Sequence, residues 1–407
     1  MKKSLLIIGG GYEQIRAYQL AKEMGLFVVG TDVNPYAPAF DFADDKLICS
    51  TRDAKRTLTK VLKYSKTHQI SGVITIANDV PYTVALVAQS LKLKGISLQA
   101  AKFTSNKLLM KNKFKKFGIP TPSFVALKEK NEFFKKIKEM KFPIVLKPSD
   151  GRGARGVLYL DETADLSWAW EHSLENSENK ILLLEEYVIG DQLSVEGIFL
   201  HGKYHAIAFA DRNYANLNST KPHIIEDGGV IPSKYEGEIL DKISNMIENA
   251  SISIGIKWGT VKADIVLSKD GPMVIEIAAR LSGNYLATHH IPMAYGIDIV
   301  SLMIKLSLGL DIDESLLIPK HKRYLGVRYF FPKPGLVKAI HGVDKIKSYS
   351  YVKMLDIYRK VGDIQPIIDN HGKRAGTVIC EALDYSTAIE RVENAVREII
   401  FDIDHIN

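Results

Sequence analysis

The sequence predicts an α/β fold that passes into α+β: a doubly wound, Rossmann-like unit to about residue 105, antiparallel hairpins beyond it, and a small α+β unit from about 321 to 407. Three observations carry this. Strand and helix patterns alternate over residues 4–100, the signature of a parallel sheet covered by helices. Residues 193–200 and 204–210 read as a hairpin around Gly202. Within 259–280, positions 261, 263, 265, 267 and 275, 277, 279 are all apolar, the period-two pattern of a half-buried hairpin.

The elements follow in order. Leu5–Ile8 is too short for the apolar core of a signal peptide and reads as a first strand. Residues 13–24 form an amphipathic helix, 27–31 a second strand and 71–76 a later one. The first turn is Gly9-Gly-Gly-Tyr-Glu-Gln14, with Asp32 ending the second strand where a dinucleotide fold places its ribose-binding acid. Gln14 stands where the third glycine of that fingerprint belongs, so the turn is Rossmann-like without requiring NAD. Gly118-Ile-Pro-Thr-Pro122 is a linker. Residues 131–140 are helical, 142–147 form a buried strand ending in Lys147, and 157–160 and 181–184 are further strands. A long helix covers about 235–254, and the last helix covers 385–400.

Composition excludes several classes. The 407 residues carry a net charge of +7 and ordinary apolar and charged fractions. Cys49 and Cys380 form no metal-type cluster and fit a reducing cytoplasm. No apolar run reaches the length of a membrane span. Lysines concentrate between Lys102 and Lys147, but apolar residues 108, 109, 114 and 117 recur at helical spacing, so these lysines read as a solvated face rather than a nucleic-acid surface.

The chemistry begins in the 259–280 hairpin. With Lys269-Asp270-Gly271 as a three-residue loop, paired residue numbers sum to 540, and Asp264 faces Glu276 on the polar side. Directly opposed side chains have Cβ atoms about 5 Å apart, and like charges there repel. Two carboxylates so placed call for a hard cation, which selects Mg²⁺, with Mn²⁺ as the alternative. Arg280 lies two pleats beyond, where it can hold an anion. A solvated acidic face is the plain alternative.

Two further segments add to it. Gly151, Gly153 and Gly156 are spaced so that successive N–H groups can meet one anion. No Lys-Ser/Thr follows, and the next element is a strand, so the loop reads as a flap rather than a Walker A turn. Lys147, ending a buried strand just before it, needs a partner for its charge, which phosphate would supply. In Leu182-Leu-Leu-Glu-Glu-Tyr-Val-Ile-Gly190, a strand runs into two acids and then an extended segment that can offer backbone groups to a purine edge.

Together these pieces resemble the ATP-grasp superfamily of ligases, in that family's order over almost the whole chain. The resemblance implies a Rossmann-like pre-ATP-grasp domain (1–105), a two-lobed ATP-grasp domain (106–320, its flap lobe about 120–190) and a C-terminal domain (321–407) like that of the biotin carboxylase and carbamoyl phosphate synthetase branch. Lys107 and Lys147 look like the two nucleotide lysines, and 151–156 like the triphosphate flap. Glu185, Glu186, Tyr187 and Val188 look like the adenine hinge. Asp264 and Glu276 match the magnesium carboxylates and Arg280 the arginine beside the reacting carboxylate. Arg328, in Gly326-Val-Arg-Tyr329, matches an arginine that enters the active site. Two departures stand out. Ala278 replaces the usual Asn of Glu-x-Asn-x-Arg, removing one oxygen ligand. Gln192 replaces the ribose acid, for which Asp191 can substitute.

The activity implied is carboxylate–amine ligation: ATP phosphorylates a carboxylate to an acyl phosphate with release of ADP, and an amine displaces phosphate. Lys147, Arg280 and Arg328 would serve the reaction by positioning and charge stabilisation. His223, His289 and His290 are expected near the site, in structural or specificity roles. Alternatives are a small-molecule kinase, a bicarbonate-using carboxylase and a non-catalytic ATP-binding protein. Small-molecule substrates are implied, and a homodimer by analogy; neither nucleic acid nor membrane is.

Overall fold

A computed structural model describes residues 2–404. The N-terminal unit has four parallel strands in the order Asp45–Ile48, Phe27–Asp32, Ser4–Ile8, Gly72–Ile74. The helices Ile15–Glu23, Ala54–Ser65 and Pro81–Ser90 accompany it. Its central strand, Ser-Leu-Leu-Ile-Ile, is buried at every position, as a strand covered on both faces must be. The edge strand Asp45–Ile48 escapes the sequence reading because it is short, half-exposed and charged.

A second lobe is an antiparallel sheet in the order Phe124–Leu127, Leu182–Glu186, Ile144–Pro148, Leu158–Leu160. Phe133, Trp170, Leu146 and Leu184 pack in its core. The connection from Ile144–Pro148 to Leu158–Leu160 is the expected glycine loop.

The third layer is one eight-stranded antiparallel sheet. Its order is Gly271–Ala278, Gly259–Ser268, Asp191–Leu200, Lys203–Asn213, Gly228–Ile231, Tyr324–Tyr329, Gly376–Ala382, Val352–Ile357. It crosses the boundary expected near 320 without a break, because Gly228–Ile231 pairs with Tyr324–Tyr329. Gly228 makes this seam: at φ +147°, a Cβ there would stand 2.0 Å from the Val327 carbonyl oxygen. The C-terminal helix ends at Glu398, not 400, and Ile400 opens a strand that pairs with Gly335–His341. Among the described residues no helix is long and apolar enough to cross a membrane.

The 259–280 hairpin forms with one difference from expectation. Ser268 pairs with Gly271, so the loop is the two residues Lys269-Asp270 and numbers near it sum to 539. A bulge between Asp264 and Ile265 absorbs Ile275 and restores the sum of 540, so Asp264 does face Glu276.

Candidate active site

A cavity of about 950 Å³ opens where the N-terminal unit, the flap lobe and the large sheet meet. Side chains alternate along a strand, so one face of the sheet presents Gln192, Ser194, Asp264, Glu276 and Ala278 to it. Each carboxylate is held by cations. Glu276 Oε1 lies 3.1 Å from Lys107 Nζ. Asp264 Oδ1 lies 3.2 Å from Arg212 and accepts a 3.0 Å hydrogen bond from Ser194, while its Oδ2 contacts Lys262 Nζ. Burial alone would raise the Asp264 carboxyl, but Lys262 and Arg212 hold it well below the usual carboxylate range. Among the described residues no group of three or more His, Cys, Asp or Glu side chains is arranged to hold a metal. The protein therefore offers a cation two opposed carboxylates, and a hard ion's remaining ligands would come from phosphate and water.

The Lys107 backbone N–H donates to Ser149 O at 2.7 Å and its ammonium to Gly151 O at 2.7 Å, tying the base of the flap to the helix start capped by Asn106. Gly151 and Gly153 line the cavity, and Gly156 does not. Gly156 is a packing residue at φ +68°, where a Cβ would meet Asn176 at 2.7 Å. The flap contributes Arg152 and Arg155 instead.

Lys147 lines the cavity, but the partner for its charge is Glu185, Nζ to Oε2 at 2.8 Å. The same oxygen lies 3.3 Å from Lys111, which is wholly buried. Burial pushes Lys111 down to about 8 against the pull of Glu185. Glu185 would be raised by burial, yet Lys111 and Lys147 bring it below its ordinary value. The Glu185 carboxylate is thus the internal counter-ion of both lysines, and the residue lines the cavity beside Lys147. Glu186 and Tyr187 spend their N–H groups on Ser123 O and Pro143 O, and Val188 follows the paired strand at the cavity wall.

Four expected positions are corrected. Asp191 is absent from the cavity wall, its carboxylate taken by Lys234 at 2.5 Å and Tyr235 at 2.6 Å; Gln192, one residue on, faces inward. Arg328 points to the opposite side of its strand, where its Nε meets Glu393 of the last helix at 2.7 Å, while its neighbours Val327 and Tyr329 line the cavity. His223 packs beside Trp168 and His172 under a separate surface pocket. His289 lies off the cavity beside Tyr285, with its ring Nδ1 2.9 Å from Thr288 Oγ1. His290 does line it, buried and pushed down to about 3, hence neutral.

Sequence reading missed the residues that replace these. Arg374 enters from the C-terminal unit, its guanidinium 3.5 Å from the Tyr329 ring centre and donating to Asn284 Oδ1 at 2.7 Å. His371, half-buried beside it, accepts from the Glu226 N–H at 3.4 Å, and desolvation together with Arg374 lowers its imidazole well below the ordinary value. Arg280 lies where expected and pairs with Asp79 of the N-terminal unit. Asp32 accepts from the Gly10 N–H at 3.0 Å, so it closes the glycine turn on itself.

A hairpin carrying two facing carboxylates, two lysines from the flap side and a glycine flap define a nucleotide-dependent ligase architecture, and family comparisons agree. Residues 104–284 match the model of an ATP-grasp domain, 5–98 that of a PylC-like N-terminal domain and 328–404 that of an L-amino acid ligase C-terminal domain 2. The chain thus carries an ATP-grasp domain, flanked by the other two matched domains. The crystal structure of an L-amino acid ligase from Bacillus licheniformis is similar with a TM-score of 0.84 at 19% identity, over 98% of this chain and 99% of that one. An alanine–anticapsin ligase of Bacillus subtilis (strain 168) is 25% identical over 61% of this chain and 57% of its own length. A biotin carboxylase of Pseudomonas aeruginosa is 21% identical over 99% and 92%.

Proposed function

We propose that the protein is an ATP- and Mg²⁺-dependent ligase that activates a carboxylate as an acyl phosphate and joins it to an amine, with amino acids as the substrate class. The observation that carries this is the facing pair Asp264 and Glu276 on the cavity floor, flanked by Lys107, Lys147 and Arg280. Asp264 and Glu276 would hold the metal, whose chemistry is to bridge and neutralise phosphate oxygens. Lys107 and Lys147 offer ammonium groups to the triphosphate, and the loop with Gly151 and Gly153 covers it. Val188 and the segment around it border the base. Arg280 holds the carboxylate in line for attack, and no covalent protein nucleophile is needed.

The far wall supports amino acids. Glu13, Asp79 and Asp356 stand there among Arg280 and Arg374, a mixed set suited to ligands that carry both ammonium and carboxylate. The neighbouring ligases named for amino acids support the same class.

The test crosses L-amino acids as acids against L-amino acids as amines, and reads Mg²⁺-dependent ADP release together with product mass. ADP and a dipeptide-mass product appearing only with both partners, and lost in Glu276→Gln, are expected. ADP release with bicarbonate alone, or a stable phosphorylated product, would replace this reading.

A further inference from the structure

We infer that Lys262 takes the place of a second divalent cation, so that the site works with one metal ion and one fixed ammonium. The inference rests on the ATP-dependent reading proposed above. Its origin is a register relationship: Lys262 is the direct cross-strand partner of Ala278, one row along from Asp264 and Glu276. Directly opposed residues share a face and stand about 5 Å apart at Cβ. Where the common pattern has an Asn oxygen as a ligand, this chain has a methyl group, with an ammonium directly across the ladder.

The lysine does not merely fill space. Its Nζ contacts Asp264 Oδ2, one of the two facing carboxylates, and both Lys262 and Ala278 line the cavity. Its side chain is 18% exposed, so the ammonium meets the cavity rather than being sealed beneath it. On its other side its cross-strand partner is Glu196, whose Oε1 accepts no hydrogen bond, so the carboxylate that the ammonium meets directly is Asp264.

Charge points the same way. The two carboxylates already meet three cations, with Lys107 on Glu276 and Lys262 and Arg212 on Asp264. One divalent ion arriving with a triphosphate is tolerable there because the phosphates bring their own negative charge. A second would face the Lys262 ammonium with one oxygen ligand fewer to hold it. A fixed ammonium can neutralise a phosphate oxygen without coordination geometry, which is the part of the second ion's role that survives.

The test counts bound Mn²⁺ per chain by electron paramagnetic resonance, with a non-hydrolysable ATP analogue present. One ion is expected in the wild type, in Ala278→Asn and in Lys262→Arg, and two in the double variant Lys262→Met/Ala278→Asn. Circular dichroism and analogue affinity confirm that each variant is folded. Two Mn²⁺ ions in the wild type, or one in a folded, analogue-binding double variant, overturns the inference and leaves the ATP reading intact. Failure of the wild type to bind the analogue at all overturns the ATP reading, and the inference falls with it.

Discussion

Arg280 Nε lies 2.5 Å from Asp79 Oδ1, joining the end of the 259–280 hairpin to a loop of the N-terminal unit. The pair explains how an arginine just past a strand end keeps its direction. Burial would raise Asp79, but Arg280 pulls its carboxyl below the ordinary value. Arg280→Met should lower kcat/KM by roughly 10²–10³-fold, the range for losing one charge-stabilising donor. Asp79→Asn, acting through Arg280, should lower kcat by about 10-fold with the KM for ATP unchanged. Steady-state kinetics on both variants checks this, and an effect on ATP KM alone would remove Arg280 from the acyl side.

Arg374 and Arg328 should separate cleanly. Arg374 meets Tyr329 and Asn284 on the cavity wall, so Arg374→Ala should raise the KM of an amino-acid substrate more than 10-fold, an expectation from losing about 1.4 kcal/mol or more of binding. Arg328 is buried against Glu393, whose carboxylate is a third exposed and can rehydrate. Arg328→Met should therefore cost only about 1 kcal/mol of stability and leave kcat in place. Parallel urea melts and kinetics decide between the two arginines.

What was legible in the sequence was what alternation encodes. The apolar odd positions of 259–280 locate Asp264 opposite Glu276, and the bulge at Ile275 preserves this pairing although the loop is one residue shorter than expected. Alternation also explains the error at Arg328: the resemblance supplied a position in the strand, while strand parity sends Val327 and Tyr329 inward. Lys111 was hidden for a different reason. Its segment looks like a solvated lysine face, yet Leu109 and Phe117 are exposed, and Met110, Lys111 and Phe114 are buried. Glu185, on a distant strand, supplies the counter-charge that makes a buried ammonium tolerable there, and Thr121 Oγ1 accepts from it at 2.9 Å. Arg374 lies in an irregular segment whose periodicity carries no signal.

The seam at Gly228 yields a stability prediction. A Cβ on Gly228 would clash with the Val327 carbonyl oxygen at 2.0 Å, and its φ of +147° disfavours any L side chain. Gly228→Ala should destabilise by roughly 2–4 kcal/mol, combining backbone strain with overpacking. Because this pairing joins the C-terminal strands to the sheet, limited proteolysis should cut the variant first between 310 and 324. Cleavage elsewhere would mean the sheet adapts and the seam is not the weak point.

Glu196 supplies a pH prediction. It accepts the Ser282 N–H at 3.1 Å, and burial pushes its carboxyl up from 4.5 to about 7. Between those values the folded chain holds a proton that the unfolded chain has released. The stability this contributes is complete below pH 4.5 and is lost as pH rises through about 7, at up to about 1.4 kcal/mol per pH unit. Glu196→Gln keeps an acceptor for Ser282 and cannot ionise, so its stability should lack this component. The difference between wild-type and variant urea midpoints should therefore shift against the wild type from pH 5 to pH 7.5. A constant difference across that window would mean that Glu196 stays charged in the folded protein, held by Arg280 and Lys262 more firmly than its burial implies.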